Sequence, residues 1–405
     1  MVCLITAPAW LASVEADTGA TVSDGSVSGR LGVPDLVESL PQHVRGWGES
    51  GWTGPVESGL AIGRGALAWA DADQPPVVVD AAEGGYHLLD LPGVDPQFAV
   101  SHSLWEQGPW LALSPDGRWL AYAYAAQEDT ADIRIASLET GEIRTVELGP
   151  TPVDVRTVVW SPDSRWVAWR GARRTSPGSW EGVWIGRIGP GATTSRPVPG
   201  ARDSSAALAV DADGSLLEVT SSGVRSDGRL VRGRGVDAGT LFPVGAAAAG
   251  SRAVVVGVGE ARSVVGVVDT SSAAVSWRPF PGEVAPSAAG SQPLGWLDAD
   301  HVLVAVTPLS EDGGRLPGRS LVVLGAPSAA GERASYRVVG SVADPGHDQL
   351  SVAVDLMPLD RPTVARPAPA WPWSPTRRWT TAGVAGAILL GGWLLARRRL
   401  SSRPR

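Results

Sequence analysis

One turn motif occurs twice in almost the same form, each time between two apolar strands: LALSPDGRWLAY over Leu111–Tyr122 and VVWSPDSRWVAW over Val158–Trp169. Proline presets φ for the corner, aspartate hydrogen-bonds its own backbone two residues on, and glycine or serine tolerates the tight bend. Asp116 and Asp163 stand 47 residues apart, close to the period of one blade in a β-propeller. Weaker copies follow the same plan: LAIGRGALAW over Leu60–Trp69, LAVDADGSLLEV over Leu208–Val219, AGSRAVVV over Ala249–Val256 and GWLDADHVLVA over Gly295–Ala305. A chain that repeats one hairpin at this spacing has few folds open to it.

Further strands are expected after each hairpin. In the second unit Ile133–Leu138 and Ile143–Leu148 alternate apolar and polar residues around a Thr140–Gly141 turn, the period of a half-buried strand. In the first unit Pro76–Asp80 and Tyr86–Leu91 complete about four strands. Four short strands per unit make a propeller blade, whereas a sandwich does not repeat its own turn at that spacing. The expected fold is therefore an all-β propeller over residues 33–357. It has six blades, with seven open if the termini build one jointly. Leu350–Leu356 is expected to close the ring, with Val33–Trp47 as its pairing partner, because closure removes exposed sheet edges.

Composition adds compartment and origin. The chain has 50 Gly and 33 Pro among 405 residues, which favours turns over long helices. It contains no Lys and no Asn; both have AT-rich codons, so the sequence reads as the product of a high-GC genome of actinobacterial type. A net charge of −8 argues against a nucleic-acid binder. The lone cysteine, Cys3, excludes an intramolecular disulfide.

The C-terminal end suggests a membrane. Residues 379–396 are uncharged, and as a helix they cover about 27 Å, enough for a thin hydrocarbon core. Arg377 and Arg378 precede them, while Arg397, Arg398, Arg399, Arg403 and Arg405 follow. The positive-inside bias then puts the basic tail, 397–405, in the cytoplasm and the body outside. Residues 358–378, rich in proline, are expected as an extended stalk of up to about 55 Å over their first eighteen residues. Residues 1–32 read as a flexible arm with a weak signal-like start that has no basic n-region. An upstream start, a weak signal and a cytoplasmic tail-anchored protein all remain open on that observation. Gly383, Ala387 and Gly391 lie four apart on one helix face and suggest dimer packing through the span.

At SPDGRWLAY and WSPDSRWVAW the chain resembles the WD40-like repeats of TolB-type propellers. The resemblance is good over about Gln97–Gly200 and degenerate elsewhere. It implies a propeller, often outside the cytoplasm, that serves as a protein-binding platform. The C-terminal apolar segment departs from that pattern.

Chemistry is sparse. There is no Gly-x-Ser-x-Gly elbow of the kind that accompanies propeller-linked hydrolases. The metal site that resemblance to propeller lactonases would imply uses Asn, which this chain lacks. His43, His87, His102, His301 and His347 show no metal-ligand spacing. No metal and no cofactor are expected. Glu128, Asp129 and Asp132 are the nearest approach to a calcium loop. Asp116, Asp163 and Asp213 occupy equivalent corners, so symmetry spreads them around the ring for turn hydrogen bonding. Two segments, 170–181 and 225–234, read as long loops gathered on one face, with Arg173, Arg174, Trp180, Arg225, Arg229 and Arg232 as binding candidates, since Arg and Trp are favoured interface anchors. The expected function is a non-enzymatic, membrane-anchored scaffold for a protein or envelope ligand. A propeller hydrolase acting on a glycan or lactone, and a cytoplasmic tail-anchored scaffold, are the alternatives.

Overall fold

Short β-branched runs separated by Gly, Pro and Asp corners dictate short strands, and the computed structural model arranges them as six sheets. It describes residues 43–44, 59–71, 74–94, 110–123, 132–150, 153–176, 179–198, 207–220, 223–231, 242–250, 252–258, 263–269, 275–279, 291–306, 319–325, 336–342, 349–357 and 375–401.

Blade 2 shows the plan. β5 (Leu111–Leu113), β6 (Trp119–Ala123), β7 (Asp132–Ser137) and β8 (Ile143–Glu147) run antiparallel from the centre outward. Blade 3 repeats it with β9 (Val153–Trp160), β10 (Val167–Ser176), β11 (Ser179–Ile188) and β12 (Arg196–Pro197), and blade 4 with β13 (Ala207–Val210), β14 (Leu216–Thr220), β15 (Gly223–Ser226) and β16 (Arg229–Val231). Blade 5 uses β17 (Phe242–Ala249), β18 (Arg252–Val258), β19 (Ser263–Asp269) and β20 (Val275–Pro279). Blade 6 uses β21 (Gln292–Trp296), β22 (His301–Val306), β23 (Arg319–Gly325) and β24 (Tyr336–Val342).

Blade 1 is assembled from both ends of the propeller. β2 (Gly65–Asp71), β3 (Gln74–Asp80) and β4 (Tyr86–Leu88) are its outer strands, and β25 (Gln349–Val352) is the innermost, with Leu67 opposite Val352 and Trp69 opposite Leu350. The expected first hairpin at Leu60 is thus corrected. Leu60 is a buried core residue outside any strand, and the inner strand that it was expected to supply comes from the C-terminal side. The expected partner Val33–Trp47 is corrected too. Its described part, β1 (His43–Val44), pairs in parallel with β24 at Ser341 and Val342, on the outer edge of blade 6.

β21 meets β25, so the ring of inner strands is closed. Loop closure over roughly 280 residues costs about 5 kcal/mol. Burying Leu350, Val352 and Val354 contributes about 1.5–3 kcal/mol each, enough to offset it. The core is distributed rather than central, in six apolar clusters that each lie between two neighbouring blades. Trp69 and Trp169, both fully buried, anchor two of them.

After β25 a 3-10 turn at Val354–Leu356 ends the propeller, and a helix spans Pro375–Ser401. Residues 375–378, expected as stalk, are the first turn of that helix, because proline at a first helical position lacks only a donor that has no partner there anyway. The helix overruns both expected ends of the apolar segment. Among the described residues no helix is long and apolar enough to cross a membrane. The arm (1–32), residues 358–374 of the stalk and residues 402–405 of the tail lie outside the described residues.

Candidate functional site

The repeated corners lie at one end of the ring. In blade 2, Ser114 Oγ donates to Asp116 Oδ1 at 2.6 Å and accepts the Trp119 N–H at 2.9 Å, while Asp116 Oδ1 also accepts the Arg118 N–H at 3.1 Å. Blade 3 repeats this network with Ser161, Asp163, Arg165 and Trp166. In blade 4, Asp213 Oδ1 accepts the Ser215 N–H at 2.8 Å. That bond holds the Asp213 carboxyl below its ordinary value.

Neighbouring corners also bond to one another. The Gly65 N–H donates to the Gly117 carbonyl at 2.8 Å, and the Asp116 N–H donates to Ser164 Oγ at 3.0 Å. Arg187 reaches from blade 3 to the Gly214 carbonyl and to Asp227 Oδ1 in blade 4, and the Gly250 N–H donates to Asp211 Oδ1. Arg252 reaches from blade 5 to the Ala299 carbonyl and lies over the Trp296 ring. Away from the corners, at the other end of the inner strands, Gln292 donates to the Leu350 carbonyl at 2.9 Å, which joins blade 6 to blade 1. Two indoles add further ties between blades: Trp160 donates to the Ala112 carbonyl and Trp296 to the Ala247 carbonyl. The corner groups therefore stitch the ring together and converge on no common point.

Sequence reasoning missed Ser164 in this role, although a serine in the glycine slot of an otherwise matching motif was its visible signal. Its φ of 59° is in the left-handed region, where a side chain costs energy, and its hydroxyl uses that position to reach the preceding blade.

The two basic segments are strands and do not share a face. Arg173 and Arg174 belong to β10, and Arg174 stands opposite Trp180 of β11; 170–176 and 179–181 are paired strands that overhang the blade, where a loop was expected. Its pairing of Arg173 with Val153 is at the end of the blade opposite the corner, because Val167 pairs with Trp160 beside the Ser161 turn. Arg225 and Arg229 lie in β15 and β16, which are joined by Asp227 and Gly228 in an ordinary outer turn. Asp227 Oδ1 accepts the Leu216 N–H, so that turn is on the corner face. The physical reason is alternation: successive hairpin turns of a blade lie at opposite ends. Arg232 lies outside the described residues.

The overhang has distinctive chemistry. Arg173, exposed, lies 5.4 Å over the Trp184 ring, and Trp184 is 38% exposed. Arg170 is buried and donates to Thr157 Oγ1 at 3.4 Å, and Arg156 pairs with Asp154 at 3.2 Å. Gly171 allows β9 and β10 to approach there: a Cβ would sit 2.4 Å from the Asp154 carbonyl oxygen.

Of the other candidates, Asp132 begins β7 opposite Glu147, and burial and then the Glu147 charge push its carboxyl up. Glu128 and Asp129 lie outside the described residues, as do His102 and His347. His301 bonds to Asp298 at 2.9 Å. His87 faces Asp80 at 3.4 Å. Burial pushes the Asp80 carboxyl up, but His87 and the N–H groups of Glu83 and Gly85 outweigh it and hold it low. On the C-terminal helix a Cβ at Gly383 or Gly391 meets nothing within 4 Å, and Ala387 is exposed beside them.

No family model matches the chain, and no curated protein matches it. Among solved structures it is similar to TolB from Acinetobacter baumannii, with 12% identity over 71% of this chain and 67% of that one and a TM-score of 0.42. Hydrazine synthase from Kuenenia stuttgartiensis matches at 13% identity and TM-score 0.38, over 57% of this chain; the match spans 66% of that protein, just under two thirds. The PQQ-bound aldose sugar dehydrogenase from Streptomyces coelicolor matches at 17% identity and TM-score 0.38, over 67% of this chain and 97% of that one. At these values the likenesses carry nothing about activity. What stands is a six-bladed β-propeller whose solved neighbours include TolB-type proteins.

Proposed function

We propose that this chain is a non-enzymatic propeller scaffold that binds a protein or envelope ligand on the overhang of blade 3, held at the outer side of a bacterial plasma membrane by its C-terminal helix. The observation that carries the reading is a contrast of use. Corner polar groups in all six blades take part in turn bonds or links between blades, whereas the blade 3 overhang departs from the repeat and exposes Arg173 stacked on Trp184. Arg and Trp at an exposed departure from a rigid frame suit recognition.

Attachment to a membrane is supported by the helix surface. Val384, Ile388, Leu389, Leu390 and Trp393 are all more than half exposed, Leu389 at 74%. Large apolar side chains around most of one helix, with the small residues Gly383, Ala387 and Gly391 on the remaining face, suit a lipid surrounding, and arginines flank both ends.

Two measurements test the reading. A photo-crosslinking residue at Trp184 in producing cells is expected to capture a discrete partner, while the same residue at Trp119, on the corner face, is not. Protease added to intact spheroplasts is expected to degrade the propeller. Equal capture at Trp119 would move the binding face, and full protection of the body would overturn the topology.

A further inference from the structure

The seam between blades 3 and 4 is built differently from its neighbours. Ala168 and Ile185 of blade 3 pack with Leu208, Val210 and Leu216 of blade 4, the smallest of the six apolar clusters among the described residues. Beyond that cluster, toward the overhang end, the same strand faces turn polar. Arg170 follows Ala168 by two residues on β10, Thr157 stands two from Val159 on β9, and Glu218 and Thr220 follow Leu216 on β14. Side chains two apart along a strand share a face, so all four are turned to the seam, and all four are buried. Arg225 joins them from β15, in register with Glu218. Among the described residues no other seam buries charges of both signs.

The two ends of this seam are held in different ways. At the corner end Arg187 of blade 3 donates to the Gly214 carbonyl at 2.6 Å and to Asp227 Oδ1 at 3.0 Å, both in blade 4. Trp166 lies against Gly214 there, so closely that a Cβ would meet its ring at 2.7 Å. The overhang end is lined instead by the buried charges and hydroxyls. Separating two apolar faces exposes their surface to water with no return. Separating buried charges gives back the hydration that they lost on burial, which offsets much of the attraction. Opening therefore costs least at this seam, and at its overhang end.

We propose that the ring opens reversibly along the seam between blades 3 and 4, pivoting on its corner end and admitting water at the level of Arg170 and Glu218. Opening swings the overhang of blade 3 away from blade 4 while each blade keeps its own strand pairing. Such local opening takes place below the free energy of global unfolding. The inference stands apart from the binding reading above.

The test uses the full chain carrying Cys3→Ser and one new cysteine at a time, labelled with a maleimide under native conditions. Thr220→Cys probes the overhang end of this seam and Ala168→Cys its corner end. Ala70→Cys and Ala305→Cys probe the seams between blades 1 and 2 and between blades 6 and 1. Thr220→Cys is expected to react at least tenfold faster than Ala70→Cys and Ala305→Cys, and several-fold faster than Ala168→Cys. Arg187→Ala releases the pivot and is expected to bring Ala168→Cys close to the Thr220→Cys rate. Arg170→Met leaves Glu218 balanced by Arg225 and makes the seam more apolar, so it is expected to slow Thr220→Cys several-fold. Equal rates at Thr220→Cys, Ala70→Cys and Ala305→Cys overturn the opening, and an equal rate at Ala168→Cys overturns the pivot. A Thr220→Cys rate that Arg170→Met leaves unchanged assigns the labelling to fraying of β14 and overturns the polar seam as its cause.

Discussion

Replacing Ser164 separates the two things that this residue does. Its backbone occupies φ 59°, a conformation that costs a side-chain-bearing residue about 1–2 kcal/mol. Its hydroxyl accepts the Asp116 N–H of the preceding blade at 3.0 Å, worth about 1 kcal/mol net. Ser164→Ala keeps the backbone cost and loses the bond, so it is expected to destabilise the propeller by about 1 kcal/mol. Ser164→Gly loses the same bond but relieves the backbone, and the extra freedom of the unfolded glycine returns about 0.4–1 kcal/mol of that relief. The glycine variant should therefore be more stable than the alanine variant by about 1 kcal/mol and close to wild type. Urea unfolding of the full chain at pH 7, followed by tryptophan fluorescence, measures the order directly. If glycine is as destabilising as alanine, or more so, the left-handed strain assigned to this corner is absent and the reasoning fails.

The reverse exchange in blade 2, Gly117→Ser, is expected to cost more than 2 kcal/mol in the same assay, by strain and overpacking together: φ is 73° and a Cβ would lie 2.3 Å from the Gly65 carbonyl oxygen. Gly214→Ala should show a loss of similar size, because its Cβ would meet the Trp166 ring at 2.7 Å with φ at 85°; a loss under about 0.5 kcal/mol, the level of an ordinary surface change, would refute that contact. Asp355 is exposed at the surface, yet desolvation by the chain packed around its carboxyl and then the Asp116 charge push that carboxyl up, so the folded state holds its proton to higher pH than the unfolded chain, and stability falls as pH rises through that window. Asp355→Asn is accordingly expected to stabilise at pH 7 and to give no gain below the ordinary carboxylate range; a thermal-melt difference that is flat from pH 3 to pH 7 would contradict it.

Much of the frame was legible in residues 111–169. Two matching hairpins and a turn-bounded alternation define a blade because the side-chain period and the corner chemistry are local properties. The Asp corners were legible for the same reason. The first blade was not. Leu60–Trp69 has the composition of a hairpin, yet its inner strand is β25, and only closure of the ring brings Gln349–Val352 beside β2. The basic segments were misjudged because Arg, Gly and Ser suggest loops, while cross-strand pairing with β9 and β11 holds 170–176 in a sheet. Placing Arg173 and Arg229 at opposite ends needed the register, which no local signal carries.

The amino-acid sequence by itself determined the unit: a strand, a Pro-Asp corner and a second strand, repeated at blade spacing. Those are short-range consequences of φ restriction, Asx hydrogen bonding and period-2 burial. Tertiary structure alone decided which strands meet at closure, β25 with β2 and β1 with β24, and the use of Ser164 as a tie between blades. Pairing between strands distant in sequence depends on where closure brings them, and closure is a property of the whole ring.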